Sequence, residues 1–189
     1  EAGQYHRVAV GPVTHRAQLR AGYPAALGHA ASMVVLGGAV DVPGNVTPHS
    51  EFNFFSDPVA AQIVMSSGIP LDLVDLGASR QAFITRDEAG GLKSSTRIGR
   101  LAAQMLKNWF RRDPSRLRFE FYDPLALATA LRPDLITTRQ LGIEVETSGQ
   151  ARLGQSKVES NEGPISVVEK VDGEAFSVLL DDLLALTRC

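Results

Sequence analysis

The sequence predicts an α/β fold with an open, mostly parallel, Rossmann-like sheet flanked by helices. Short apolar runs alternate with segments of helical periodicity, which is the pattern of βαβ units. The chain has 189 residues, of which 44% are hydrophobic and 21% are charged, and this composition supports a substantial hydrophobic core. We therefore expect residues 1–189 to form a single domain.

The first half of the chain contains two apolar runs that predict buried strands. Residues 7–10 form the first run, which ends at Gly11-Pro12, and a helix is expected over about 14–21. Residues 33–36 form the second run, and Gly37-Gly38 ends it. A polar, turn-rich loop follows this second strand.

A helix and a further strand are predicted after the loop. Asp57-Pro58 suits a helix start, because Ser56 or Asp57 can cap the first turn and proline is tolerated there. The side chains expected to point inward are Val59, Ile63 and Val64, and the helix should end near Gly68. Residues 71–76 alternate apolar and acidic residues, which predicts a strand. The spacing of Asp72 and Asp75 favours exposed positions on this strand, although both are possible metal ligands.

The second half of the chain predicts two more helix and strand groups. Residues 87–95 indicate a mobile connection, and apolar spacing over 96–110 predicts a helix. Its apolar positions are Ile98, Leu101, Ala102, Met105, Leu106 and Trp109. Residues 119–121 predict a strand that leads into a helix at Tyr122, with Asp123 as a natural N-cap.

The last part of the chain predicts antiparallel strands and a closing helix. The strands are expected at 136–147 and 165–171, around a polar excursion over 147–163. The closing amphipathic helix is expected over 176–186.

Composition excludes several classes of function. The formal net charge of -2 argues against a dedicated nucleic-acid binder, which would carry a basic patch. No apolar run approaches the roughly 20 residues of a membrane span, so no membrane insertion is expected. Cys189 is the only cysteine, so an internal disulfide is impossible and a reducing compartment is compatible with the chain. We expect a cytoplasmic location.

Three polar spots follow predicted strands: residues 10–12, the loop from Asn45 to Asn53, and Tyr122-Asp123. Carboxyl ends of strands in an open α/β sheet converge on one crevice, so these spots should meet there. Carboxylate and carbonyl oxygens suit a hard cation such as calcium, and Asn and Glu side chains bind sugar hydroxyls. The alternative for the loop is a local Asn/Thr/Pro turn with a surface Glu. Zinc, phosphate-loop and serine-nucleophile motifs are absent from the sequence.

Four collinear segments resemble the inosine-uridine-preferring nucleoside hydrolases, calcium-dependent enzymes that cleave the N-glycosidic bond of ribonucleosides. The segments are Val8-Ala9-Val10-Gly11-Pro12-Val13-Thr14, Leu36-Gly37-Gly38 through Pro43-Gly44-Asn45-Val46-Thr47-Pro48, Glu51-Phe52-Asn53 with Asp57-Pro58, and Asp123-Pro124-Leu125-Ala126 followed by Val145-Glu146-Thr147-Ser148-Gly149. Their order and spacing extend over nearly the whole chain. One such motif would be weak, whereas four in order are specific.

The resemblance implies a role for each polar spot. Asp123 corresponds to a calcium-binding aspartate, and the backbone carbonyl of Val10 would reach the same Ca²⁺ ion. The side chains of Asn45, Glu51 and Asn53 correspond to the family's side chains that bind the ribose hydroxyls, and Leu36 would lie beside the sugar. The implied substrate is a ribonucleoside, and the resemblance also implies a homo-oligomer for a full-length protein.

Two departures from the family pattern affect the expected activity. The family's Asp-x-Asp-x-Gly-x-Asp-Asp cluster, which supplies most calcium ligands and the general base, does not occur in this sequence. We therefore expect the chain to correspond to the carboxyl-terminal two-thirds of such an enzyme and to be inactive alone. Tyr122 stands where many members have a His on the leaving-group side, and a tyrosine is a poorer acid at neutral pH. The alternative is a non-catalytic sugar- or nucleoside-binding relative, or a decayed one.

Overall fold

The computed structural model describes residues 5–22 and 30–188, and Cys189 lies outside these ranges. A five-stranded sheet organises the chain, with the strand order β1-β2-β3-β8-β7. Its strands are β1 (Tyr5–Ala9), β2 (Ala30–Leu36), β3 (Leu71–Val74), β7 (Ile136–Val145) and β8 (Ser156–Val171). The pairs β1-β2, β2-β3 and β3-β8 are parallel, and only β7 runs antiparallel to its neighbour. The predicted open, mostly parallel sheet is confirmed.

Eight α-helices are described. They are α1 (Thr14–Gly22), α2 (Phe52–Ser56), α3 (Pro58–Met65), α4 (Leu76–Ser79), α5 (Arg86–Gly91), α6 (Arg97–Arg111), α7 (Tyr122–Leu131) and α8 (Gly173–Leu184). Two small antiparallel pairs join β4 (Phe83–Thr85) to β6 (Arg118–Glu120) and β5 (Lys93–Ser94) to β9 (Leu186–Thr187). None of the helices in the described ranges has the length and apolar character that crossing a membrane requires.

The two faces of the sheet bury separate hydrophobic cores. Successive side chains of a strand point to opposite faces. Met33 and Val35 of β2 therefore pack with residues of α1, α2 and α3, whereas Val34 and Leu36 pack with residues of α4 to α8. All four of these side chains are buried, in agreement with the predicted fully buried strand.

Several predicted elements differ from those found. The strand predicted over 71–76 ends at Val74, because the Asp75 carboxylate accepts the backbone N–H of Ala78 at 2.9 Å and so caps α4. The connection predicted over 87–95 contains α5 and β5 instead. Its helix begins with a capping box, in which Thr85 and Glu88 bond to each other's backbone N–H groups.

The predicted helix over 96–110 is confirmed as α6, with Thr96 as its N-cap. The residues that α6 buries differ from those expected from the apolar spacing. Ile98, Leu101 and Met105 are exposed, whereas Gly99, Ala103 and Phe110 are buried. The expected inward orientation of Val59 in α3 is also wrong, because its side chain is exposed. Trp109 packs edge-on against the rings of Phe110 and Phe119, as a packing residue should.

The predicted antiparallel strands near the carboxyl end are confirmed as the β7-β8 hairpin. β8 begins at Ser156, so much of the predicted excursion over 147–163 belongs to this strand. The closing helix is α8, which starts earlier than predicted because the Asp172 carboxylate accepts the N–H of Ala175 at 2.9 Å.

Candidate active site

A polar cavity of about 350 Å³ opens where β1, β2 and β3 end. It lies at the carboxyl edge of the parallel strands, the edge at which open α/β sheets bind ligands. Every residue predicted for the site lines this one cavity: Val10, Leu36, Asn45, Glu51, Asn53, Tyr122 and Asp123. Residues from four separate stretches of sequence are thus brought together, as the topology predicted.

Side chains from distant parts of the chain hold the segment that follows β2. The backbone N–H groups of Gly38, Ala39 and Val40 are consecutive, and each donates to a different side chain. The acceptors are Glu51 Oε2 at 3.0 Å, Ser156 Oγ at 3.3 Å and Asp75 Oδ2 at 2.8 Å. This segment forms no sheet or helix, so side chains must satisfy its buried backbone groups. The cavity wall is therefore built from the same carboxylates that line it.

The glycine pair that ends β2 is required by this close packing. A Cβ atom on Gly37 would overlap the ring of Phe54, which is completely buried. Gly38 has a φ of +79°, a left-handed conformation that glycine adopts without strain. The pair lets the backbone turn between Phe54 and the Glu51 carboxylate.

Glu51 is a buried structural acid. Its side chain is 6% exposed and accepts the N–H groups of Gly38, Asn53 and Phe54, and so it caps α2. The alternative of a turn with a surface Glu is therefore wrong. Burial raises the pKa of Glu51, and the neighbouring Asp75 carboxylate adds to this rise, although the three N–H groups oppose it. A carboxylate has roughly four acceptor positions, so Glu51 keeps capacity for one ligand hydroxyl.

Two asparagines complete this side of the cavity. The Nδ2 of buried Asn53 donates to the Leu36 carbonyl at 3.0 Å, which leaves its Oδ1 as an acceptor. The Oδ1 of Asn45 accepts the N–H of Phe52 at 3.0 Å, so the N–H donors of this exposed side chain are what it can offer to a ligand. One asparagine thus presents an acceptor and the other presents donors.

Asp75 belongs to the site, contrary to the sequence-based expectation of an exposed position. It is 2% exposed and lines the polar cavity, where its carboxylate accepts the N–H groups of Val40 and Ala78. Burial raises its pKa. The available signal was that Asp is a preferred N-cap residue, and the apparent alternation of a strand concealed it. Asp72, in β3, is half-buried.

Phe52 was also missed by sequence reasoning. Its side chain is 56% exposed and lines the cavity beside Asn45. An exposed aromatic ring at a cavity mouth provides an apolar surface against which a ligand can pack. A single Phe within a polar motif carries no periodic signal that would mark this position.

Asp123 and Val10 lie where they could contribute to a cation site. Asp123 is the second residue of α7, where no side chain caps the helix, so the predicted N-cap role is wrong. Its carboxylate is exposed and lines the cavity together with Val10, which directly follows β1. Carboxylate and carbonyl oxygens fit a hard cation, but Ca²⁺ takes about 6–8 oxygen ligands. Within residues 5–22 and 30–188, no three His, Cys, Asp or Glu side chains are grouped to hold a metal. The donors found suit calcium chemically and are incomplete in number.

Tyr122 lines both the polar cavity and a second, apolar cavity of about 430 Å³, as Asp123 also does. Its hydroxyl donates to Glu120 Oε2 at 2.5 Å. Burial and this hydrogen bond to a carboxylate raise the pKa of Tyr122 to about 12. The phenol is therefore a weak acid, as the Tyr-for-His departure predicted.

The polar cavity has a negative electrostatic character. Its ionisable side chains among the described residues are the carboxylic acids of Glu51, Asp75 and Asp123 and the Tyr122 phenol, with no Lys, Arg or His. Such a cavity favours a cation or a neutral hydroxyl-rich molecule over a phosphate or another anion.

Comparison with known proteins identifies the family. The family model described as inosine-uridine preferring nucleoside hydrolase matches residues 1–178. The chain belongs to this nucleoside hydrolase family. It is 31% identical over 183 residues to a non-specific ribonucleoside hydrolase RihC of Escherichia fergusonii, an alignment that covers 94% of this chain and 60% of the relative. It is also 31% identical to a pyrimidine-specific ribonucleoside hydrolase RihA of Shewanella woodyi, over 92% of this chain and 58% of the relative.

Solved structures of nucleoside hydrolases share the fold. A plant nucleoside hydrolase, PpNRh1, superposes with a TM-score of 0.84 at 26% identity and covers 97% of this chain and 62% of that one. A purine-preferring ribonucleoside hydrolase from Gardnerella vaginalis gives a TM-score of 0.77 at 25% identity, over 95% of this chain and 58% of the other. The chain thus spans about 60% of the length of these nucleoside hydrolases. Their names differ in base preference, which family membership alone therefore does not specify.

Proposed function

We propose that the polar cavity binds the ribose of a ribonucleoside and that the protein to which this chain belongs hydrolyses the N-glycosidic bond to ribose and free base. The observation that carries the proposal is the meeting of all the predicted site residues in one cavity rich in carboxylate and amide groups. The negative cavity supports a neutral nucleoside over a nucleotide, because a phosphate would meet acidic side chains and no Lys, Arg or His among the described residues that line it.

The ribose is held by groups that the fold keeps rigid. Asn45 donates to a hydroxyl oxygen, and Asn53 Oδ1 and the remaining acceptor position of Glu51 receive hydroxyl protons. Glu51 and Asn53 already bond to backbone groups of the cavity wall, so their orientation is set before a ligand arrives. Fixed acceptors lose little freedom on binding, and this preorganisation aligns the sugar for attack by water. Leu36 and Phe52 also line the cavity and offer the sugar apolar contacts.

Asp123 and the Val10 carbonyl would hold a Ca²⁺ ion together with oxygen ligands beyond those of the described residues. The ion would orient the sugar and a water molecule and would stabilise negative charge that develops on that water. Asp123 suits this role because it does not cap α7 and keeps its carboxylate free for a ligand.

The leaving base departs through an oxocarbenium-like transition state, which is general for glycosyl hydrolysis. With a pKa of about 12, Tyr122 holds its proton toward Glu120 and does not act as the acid that protonates the base. The remaining acceptor position of Glu51 is assigned to a ribose hydroxyl, and the Asp75 carboxylate holds the N–H groups of Val40 and Ala78, so we assign neither as the base that activates water. We therefore expect the chain alone to hydrolyse nucleosides negligibly.

A reconstitution experiment tests this function. A reducing-sugar assay measures ribose release from inosine and uridine by the chain alone and by the chain joined to an amino-terminal segment with the Asp-x-Asp-x-Gly-x-Asp-Asp cluster. We expect calcium-dependent turnover only in the joined protein, and Asp123→Asn should abolish it. The matched control Asp87→Asn, at an exposed position in α5, should leave turnover unchanged. Robust turnover by the chain alone would contradict the proposal that its base and calcium ligands are incomplete.

A second candidate function is nucleoside or sugar binding without catalysis. It is favoured by the absence of a metal-binding group of side chains within residues 5–22 and 30–188, and by the weakly acidic Tyr122. Calorimetric titration with calcium and with ribose separates the candidates. Binding without turnover in the joined protein favours the binding function, and no heat in either titration argues against it.

A further inference from the structure

Tyr122 lines both the polar cavity and the apolar cavity, and its hydroxyl donates to a carboxylate. The hydroxyl donates to Glu120 Oε2 at 2.5 Å, and Glu120 lines the apolar cavity. Tyr122 and the acceptor of its proton thus both line that cavity. Its other walls are largely hydrophobic, with Leu106, Trp109 and Phe119 among them. A polar atom in such surroundings has a strong influence on which ligand atom can face it.

The Glu120 carboxylate is fixed from two directions. Its other oxygen pairs with Arg118 Nη2 at 2.8 Å, and its side chain is 16% exposed. Both residues are in β6, where Glu120 pairs with Phe83 and Arg118 with Thr85 of β4. The Arg118 guanidinium also lies 5.3 Å from the centre of the Phe83 ring. The acceptor for the Tyr122 proton is thus held by an ion pair within the antiparallel β4-β6 pair.

A phenol hydroxyl has one proton to donate and accepts through its oxygen lone pairs. With the proton directed to Glu120, what Tyr122 offers to a ligand is an acceptor. We propose that Glu120 makes Tyr122 a hydrogen-bond acceptor and that the pair selects ligands carrying an N–H donor at the junction of the two cavities. Tyr122 is then a specificity-determining residue, and Glu120 is a positioning residue that acts through it.

The inference rests on the proposed function: it takes the base of a nucleoside bound in the polar cavity to reach Tyr122, which lines that cavity. An exocyclic amino group on the base would donate to the Tyr122 oxygen. A base that presents only ring-nitrogen acceptors would face an oxygen lone pair and lose the hydrogen bond. A hydrogen bond of ordinary strength corresponds to about a tenfold difference in affinity.

The arrangement of the hydroxyl can be tested without any ligand. In a proton NMR spectrum, the Tyr122 hydroxyl should give a resolved, slowly exchanging signal with a cross-peak to its own ring. The signal should be absent from Tyr122→Phe and from Glu120→Ala. A wild-type hydroxyl that exchanges as fast as that of a solvent-exposed tyrosine would overturn the inference.

Ligand selection is tested with adenosine and purine riboside, which differ only in the exocyclic amino group. In calorimetric titrations of the wild-type chain we expect adenosine to bind about tenfold more tightly, and the ratio should fall to near one in both variants. Tyr122→Phe keeps the ring and so gives a result even if Glu120→Ala is unstable. Measurable binding with the same ratio in wild type and Tyr122→Phe would overturn this inference alone. Absence of binding for both nucleosides would overturn the proposed function together with it.

Discussion

Replacing Glu51 tests whether the cavity wall is held by a buried carboxylate. Glu51→Ala removes the acceptor for the backbone N–H groups of Gly38, Asn53 and Phe54. The side chain is 6% exposed, so water has little access to replace it. Leaving one buried donor unsatisfied costs about 1–3 kcal/mol. Taking the lower value for each N–H group gives a loss of about 3 kcal/mol in the free energy of unfolding.

Glu51→Gln separates the hydrogen bonds from the charge. If the glutamine oxygen takes the place of Oε2, Gly38 and Phe54 keep their acceptor, and the amide group faces the N–H of Asn53. Leaving the N–H of Asn53 unsatisfied costs about 1–3 kcal/mol. Glutamine is neutral and therefore avoids the cost of burying a carboxylate charge, which is also the reason that the pKa of Glu51 is raised, so part of the loss is offset. We expect a loss of about 1 kcal/mol for Glu51→Gln.

Urea unfolding followed by circular dichroism measures both variants against wild type. Glu159→Gln, an exposed acid of β8, is the matched control and should change stability by less than about 0.5 kcal/mol. The expected order of stability is wild type, then Glu51→Gln, then Glu51→Ala. If Glu51→Ala were as stable as the control, Glu51 would not be the anchor of the wall, and this reasoning would be refuted.

Three further predictions concern other contacts. Gly37→Ala should destabilise the protein by about 1–3 kcal/mol, because the added Cβ atom would overlap the Phe54 ring. Gly90→Ala, at an open position within α5, should stabilise the protein by about 0.5–1 kcal/mol. Thermal unfolding compares the two variants, and equal effects on stability would contradict the packing argument. Asp123→Asn should change stability by less than about 1 kcal/mol in urea unfolding, because Asp123 does not cap α7; a larger loss would show a structural role. The pKa of Glu146 is lowered from 4.5 to about 2 by Lys157, whose Nζ lies 2.5 Å from its carboxylate, and by the N–H groups of Ser148 and Gly149. The ionised Glu146 carboxylate therefore stabilises the fold fully above pH 4.5, and this stabilisation is lost as the pH falls through about 2. Carboxyl NMR titration should show the pKa of Glu146 rising in Lys157→Gln, and an unchanged pKa would mean that the ion pair is not its main cause.

The sequence was most informative where one physical rule determines the structure. The apolar run 33–36 is buried on both faces, which is what a central parallel strand requires. Because the carboxyl ends of parallel strands meet, Val10, the loop and Asp123 could be placed together without a structure. Predictions of this kind depend on hydrophobic periodicity and on the order of strands and helices, and both can be inferred from the sequence.

The errors arose where side chains compete for backbone groups or where one pattern fits two structures. Asp75 follows an alternating run that resembles a strand edge, and only the packed segment after β2 shows why its carboxylate is buried. In α6, Ile98 and Met105 have helical spacing but lie on the exposed side, because Gly99 allows the carbonyl of Leu184 to pack against the opposite face. Periodicity identifies a helix, and the contacts of its smallest residues decide which face is buried.

An NMR titration of the chain with inosine in the presence of calcium tests the central proposal most directly. If the polar cavity binds ribose, the side-chain amide signals of Asn45 and Asn53 should shift together with the backbone signals of Gly37 and Phe52. The side-chain amide signal of Gln140, which bonds Ser166 in the β7-β8 hairpin away from the cavity, should stay unchanged. Shifts that cluster outside the cavity, or none at millimolar inosine, would contradict the assignment of this cavity to the sugar.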